Sequence, residues 1–119
     1  MRKPYTIELI AGCETIPQAF RQEMLTQYSK LCGGCTEIKS KGYWVEDAGK
    51  TRQKTYDTSN LMSEETLHIS LTTEQDKFDY VYEQVQAMFN KYVKQFNLDM
   101  TWIHCKVSES LAGLSLIHI

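Results

Sequence analysis

The stretch TLHISLTTEQDKFDYVYEQVQAMFNKYVKQFN, residues 66–97, decides the fold. Its first seven residues alternate, with Leu67, Ile69 and Leu71 on one face, which is the period of a half-buried strand. From Phe78 the period changes. Phe78, Val81, Tyr82, Val85, Phe89, Tyr92, Val93 and Phe96 recur at helical spacing and form the strongest apolar stripe in the chain. Thr73 with Asp76 three residues on is expected to cap this helix, and Asn97 to close it.

Upstream, Tyr5 to Ala11 alternates again, with Tyr5, Ile7 and Leu9 on one face and Thr6, Glu8 and Ile10 on the other, and Gly12 ends the strand. Thr15 and Gln18 have the spacing of a capping box, and Pro17 suits the first turn of a helix. Phe20, Met24, Leu25, Tyr28 and Leu31 form that helix's apolar stripe, and Gly33-Gly34 stops it. Thr36 to Val45 reads as a second strand with Gly42 as a bulge position. Residues 51–65 are polar; part of them extends the hairpin, and 57–60 reads as loop. Downstream, Met100 to Val107 is a last strand, with Thr101, Ile103, Cys105 and Val107 on the core face.

The order is strand, helix, strand, strand, helix, strand. This βαββαβ order predicts an α+β, ferredoxin-like fold: a four-stranded antiparallel sheet in spatial order 4-1-3-2, with two helices on one face. The chain's 119 residues suit one domain, expected over residues 1–113. The final six residues, Leu114 to Ile119, read as the translation of the transposon mosaic end used to fragment DNA for sequencing. They are expected to be adapter read-through and carry no weight here.

Apolar residues make up 42% and charged residues 24%, a globular composition that excludes a disordered chain. A net charge of -2 argues against a protein that coats nucleic acid or an anionic membrane. No apolar run approaches the roughly 18 residues of a membrane span. Four cysteines without an obvious disulfide framework suit a reducing bacterial cytoplasm, the expected location.

Three short features, Gly12 at the end of the first strand, Gly42-Tyr43-Trp44 in the second, and Glu64 or Glu65 before the third, resemble a loose group of small bacterial and phage ferredoxin-like proteins. The likeness covers residues 5 to 107. It implies the same fold and turns the expectation toward a phage-encoded accessory protein, and it brings no activity with it.

Cys13, Cys32, Cys35 and Cys105, with His104 nearby, raise a zinc reading. The expected fold sets Cys13 at one end of a strand and the Cys32-Cys35 pair at the other, about 23 Å apart. That is far beyond a Zn–S bond of about 2.3 Å. A redox role is disfavoured too, because the CxxC follows a helix C-terminus, where the dipole opposes a thiolate. Gly49-Lys50-Thr51 ends like a P-loop, but Trp44 stands where the motif needs its first glycine. No metal or cofactor is expected.

Two surfaces remain. The sheet face without helices is expected to carry Thr6, Glu8, Ile10, Thr66, His68, Ser70, Met100, Trp102, His104 and Lys106, with His68, Glu8 and His104 in one row. Apolar residues among polar ones suggest an interface between copies, and the row suggests a ligand pocket. Lys39, Lys41, Lys50, Arg52 and Lys54 form a basic hairpin, with Tyr43 or Trp44 as a stacking surface for a nucleotide-like anion. The reading is a small self-associating binding protein that sequesters a signal molecule or blocks a host defence protein. Its candidate ligand residues are Glu8, Tyr43, Trp44, Lys50, Arg52, Lys54, His68, Trp102 and His104. The alternative is a dimeric enzyme resembling small ferredoxin-like monooxygenases, using Trp102, His104 and His68 in a cavity on the open face.

Overall fold

A computed structural model of the chain describes residues 4–46, 54–100 and 103–109. Its elements are β1 (Pro4–Cys13), α1 (Gln18–Cys32), β2 (Thr36–Glu37), β3 (Lys41–Trp44), β4 (Met62–Glu74), α2 (Phe78–Gln95) and β5 (Ile103–Glu109). The sheet runs β2-β4-β1-β5, with β3 also paired to β4, and every pairing is antiparallel. Both helices cover one face. This is the expected ferredoxin-like arrangement, with one correction: the sheet has five strands, because the expected strand from Thr36 to Val45 is broken in two.

The break is not a bulge. Thr36 pairs with Ser70 and Lys41 with Glu65, so β2 and β3 share one register, and an inserted residue would have shifted it. Gly42 lies in the regular ladder opposite Glu64. Between the two strands, Ile38 N–H still donates to the His68 carbonyl at 2.9 Å. The exposed Lys39 and Ser40 then leave the ladder, and side chains replace it. Thr66 Oγ1 donates to the Ser40 carbonyl at 2.9 Å, and the two hydroxyls touch. Polar residues with nothing to bury gain little from regular pairing.

The core forms between helices and sheet. Ile7, Leu9 and Ala11 of β1 and Leu67, Ile69 and Leu71 of β4 are fully buried against Phe20, Met24 and Tyr28 of α1 and Val81, Val85 and Phe89 of α2. Each large apolar side chain so placed contributes about 1.5–3 kcal/mol. Tyr28 ties the helices together by donating its hydroxyl to the Val85 carbonyl at 3.0 Å. Phe20 meets Phe96 edge to face, centroids 5.6 Å apart.

The helix ends divide into expected and corrected. Gly33 takes a left-handed φ of 83° and its N–H closes α1 on the Ser29 carbonyl. Asn97, at φ 52°, closes α2, with Leu98 N–H reaching back to the Val93 carbonyl at 3.0 Å. The expected N-caps do not form. Pro17 is the α1 cap position and no side chain bonds there; instead Glu65 Oε2 accepts the Ile16 N–H at 2.9 Å from across the sheet. Thr73 belongs to β4, opposite Tyr5, and a 3-10 turn over Gln75–Lys77 leads into α2. Among the described residues, no helix is long and apolar enough to cross a membrane.

Candidate functional site

Antiparallel pairing fixes the open face row by row, since directly opposed residues point the same way. Ile10 stands opposite both His68 and His104, and Glu8 stands opposite Ser70 and Lys106. The expected row of His68, Glu8 and His104 is therefore corrected: Ile10 separates the two imidazoles. Glu8 lies one pair along, and its Oε1 still meets His68 Nε2 diagonally at 3.1 Å, with the two side chains 27% and 16% exposed. His104 and Lys106 are exposed. Met100 is corrected as well, since it precedes β5 and is buried in the core. Among the described residues, no three His, Cys, Asp or Glu side chains are placed to hold a metal ion.

A second feature lies at the end of the sheet where β1 stops and β3 meets β4. A half-open cleft of about 590 Å³ is lined by Cys13, Trp44, Met62, Glu64, Asn97 and Asp99 among others. Trp44 and Met62 are a cross-strand pair, 44% and 46% exposed, and form its apolar wall. Glu64 supplies its carboxylate. That side chain lies over Gly12, where an added Cβ would collide with its Oε1, and beside Gly42, where a Cβ would stand 3.4 Å from its Cγ. The two glycines clear the space in which the carboxylate rests. Glu64 has no hydrogen-bond or ion-pair partner among the described residues. Its neighbour Glu65 points the other way and holds Ile16.

Gly12, Gly42-Tyr43-Trp44 and Glu64, the short features that carried the family resemblance, thus meet at one place. Sequence reasoning quoted them without joining them, weighed Cys13 only as a zinc ligand, and passed over Glu14 and Asp99; all three also border the cleft. The available signal was a pair of strand glycines on either side of an acidic residue, which marks a close approach. Of the other singled-out residues, Tyr43 and Lys54 are exposed. Lys50, Arg52 and Trp102, with the terminal segment 114–119, lie outside the described residues.

Cys32 borders a pocket with Pro4 and Glu74, at the sheet end opposite Cys13. Burial pushes the Cys32 thiol up, and the nearby Cys35 adds to this. Burial likewise raises Cys105, partly offset by a hydrogen bond with Tyr82. Cys35 Sγ donates to the Leu25 carbonyl at 3.7 Å and lies 3.5 Å from Ser29 Oγ. The raised Cys32 and Cys105 thiols are poor nucleophiles at neutral pH.

No protein-family model matches the chain, and no curated protein matches it. Solved structures do. CutA from Synechococcus elongatus PCC7942, in a complex with a Bis-Tris molecule, superposes with a TM-score of 0.56 at 10% identity, covering 97% of this chain and 90% of that one. A second structure of the same CutA gives a TM-score of 0.53 at 11% identity, covering 92% and 80%. At such identity the likeness establishes the ferredoxin-like fold and nothing further.

Proposed function

We propose that the chain is a self-associating binding protein that holds a small, hydrogen-bond-donor-rich molecule in the cleft at the end of its sheet. The observation that carries this is Glu64, a carboxylate without a described partner, given room by Gly12 and Gly42 beside the apolar wall of Trp44 and Met62. Glu14 and Asp99 border the same cleft. A ligand with an amine or several hydroxyls suits this lining, because charge-assisted hydrogen bonds to a carboxylate contribute ~1.5–3 kcal/mol each. The Bis-Tris in the CutA complex is an amine of this general kind.

The nucleotide-like anion expected from Lys50, Arg52 and Lys54 is the competing ligand class, and one experiment separates the two. Calorimetry of the wild type against amines, polyols and nucleotides should give heat with the donor-rich group. Glu64→Gln should weaken that binding roughly ten- to a hundredfold. Heat with nucleotides alone, lost in Arg52→Ala, would replace the carboxylate reading with the anion reading.

Self-association is proposed through the open face, where Ile38, Trp44 and Met62 remain 38–46% exposed. Light scattering should find more than one chain per particle at micromolar concentration, and a monomer there sinks this part. Sequestering a signal molecule, or covering a host protein on behalf of a phage, in the cytoplasm, needs only these two properties. The Glu8–His68 pair favours a second reading, proton transfer in a monooxygenase-like enzyme on the open face. Turnover that vanishes in His68→Ala, with cleft binding unchanged, would select it.

A further inference from the structure

Both helices end on a left-handed residue, and the two residues differ. At the end of α1 it is Gly33, at φ 83°, where an added Cβ would meet nothing within 4 Å. At the end of α2 it is Asn97, at φ 52°. Its N–H returns to the Lys94 carbonyl at 3.1 Å, and Leu98 N–H returns to the Val93 carbonyl at 3.0 Å. This pair of backbone bonds closes a helix most readily around glycine. Asparagine reaches the left-handed region more easily than other side chains do, but less easily than glycine. The side chain adds nothing to the turn, since the Asn97 amide makes no hydrogen bond among the described residues. Gly33 follows Cys32 at the far end of the sheet. Asn97 is exposed and borders the cleft that holds Glu64. The chain therefore keeps an amide at the helix end beside the cleft and omits the side chain at the other.

We propose that Asn97 is a ligand-binding residue of this cleft, and that its amide selects an amine carrying hydroxyl groups over a plain alkylamine. This rests on the cleft reading above and narrows its ligand class. The Glu64 carboxylate accepts hydrogen bonds and donates none. It meets an ammonium group and is indifferent to what else the ligand carries. An amide has two N–H donors beside a carbonyl acceptor, so its match is a group that both accepts and donates, as a hydroxyl does. A hydroxyl placed there replaces the water that hydrates the amide in the empty cleft. An alkyl group placed there removes that water and returns no hydrogen bond, which is the larger cost. The short asparagine side chain, starting from a backbone already fixed by the helix end, loses less rotamer freedom on binding than glutamine or lysine would. Trp44 and Met62 line the same cleft and suit the carbon skeleton of the ligand.

The test is a matched pair of probes, Tris and tert-butylamine. They share one branched carbon skeleton and both are protonated at pH 7; Tris adds the hydroxyls. Calorimetry of the wild type should find Tris bound roughly three- to tenfold more tightly than tert-butylamine. Asn97→Gly removes the amide and gives the turn the residue it favours. Its urea midpoint should stay close to the wild type, and Tris should fall to the level of tert-butylamine. Glu64→Gln should weaken both amines and keep the ratio between them. Equal binding of the two amines by the wild type would overturn the proposal, and the cleft reading would still stand if Glu64→Gln weakens both. A preference for Tris that survives in Asn97→Gly would overturn it as well. So would a clear drop in the urea midpoint of Asn97→Gly, because the side chain would then be holding the fold and not the ligand. A wild type that binds neither amine at millimolar concentration would remove the cleft reading and this inference together.

Discussion

Glu64 and Gly12 show how one missing methyl group can position a charge. The space over Gly12 is occupied by the far end of the Glu64 side chain, and such an end can swing aside. Gly12→Ala should therefore cost less than about 1 kcal/mol of stability while displacing the carboxylate. Calorimetry should find ligand affinity reduced toward that of Glu64→Gln, with the urea midpoint close to wild type. An unfolded Gly12→Ala protein would mean that the backbone cannot spare the space. Tyr28 lies in the core instead. Its ring is fully buried and its hydroxyl donates to the Val85 carbonyl, so Tyr28→Phe should cost about 0.5–1.5 kcal/mol by urea titration. Burial also holds the Tyr28 phenol and the Cys32 and Cys105 thiols above their ordinary values. A raised acid keeps its proton longer folded than unfolded. Stability should be full below about pH 8.5, where unfolded thiols begin to ionise, and fall as pH rises beyond it. The urea midpoint at pH 7 and pH 10 reads this directly, and an equal midpoint at both would contradict it.

At the scale of elements, the periodic stretches were readable and the junctions less so. β1, β4 and both helical stripes follow from alternation and helical spacing, because each buries one face and the period reports that face. Gly33 and Asn97 were readable as helix ends because the left-handed conformation they supply is a local property. The N-caps misled because Thr15 and Thr73 have the right spacing to residues three further on, while tertiary partners decide the geometry. Glu65 reaches Ile16 across 49 positions of sequence, which no local rule contains. The break between β2 and β3 was hidden for a related reason. Its cause is the Thr66 hydroxyl replacing a backbone ladder around Ser40, and the partner of a hydroxyl is not written in its neighbours. Thr66→Val keeps the shape and removes the bond, so it should cost roughly 1 kcal/mol. Hydrogen exchange should quicken at Ile38 and Lys41 and stay unchanged in β1. Exchange that quickens throughout the sheet would mean that the junction supports more than its own corner.

For the whole molecule, the open face and the cleft were only half visible because both depend on register. Alternation assigns Glu8, Ile10, His68 and His104 to one face whatever the pairing, and that much was readable. Which of them stand opposite each other depends on where β1 lies against β4 and β5, and a shift of one pair moves Ile10 into the place expected for Glu8. The cleft needs more still, since it joins residues from the ends of three strands and the loop after α2. A sheet covered by helices on one face leaves the other open, and in the proposed self-association another copy covers it. Folding and assembly are then linked, because only folded chains present that face. Apparent stability must rise with protein concentration, by up to about 1.4 kcal/mol for each tenfold increase. Melting the wild type at 1, 10 and 100 µM should raise the midpoint by several degrees per decade. A wild type whose midpoint ignores concentration, in a range where light scattering finds dissociation, would mean that each chain is complete without its neighbour.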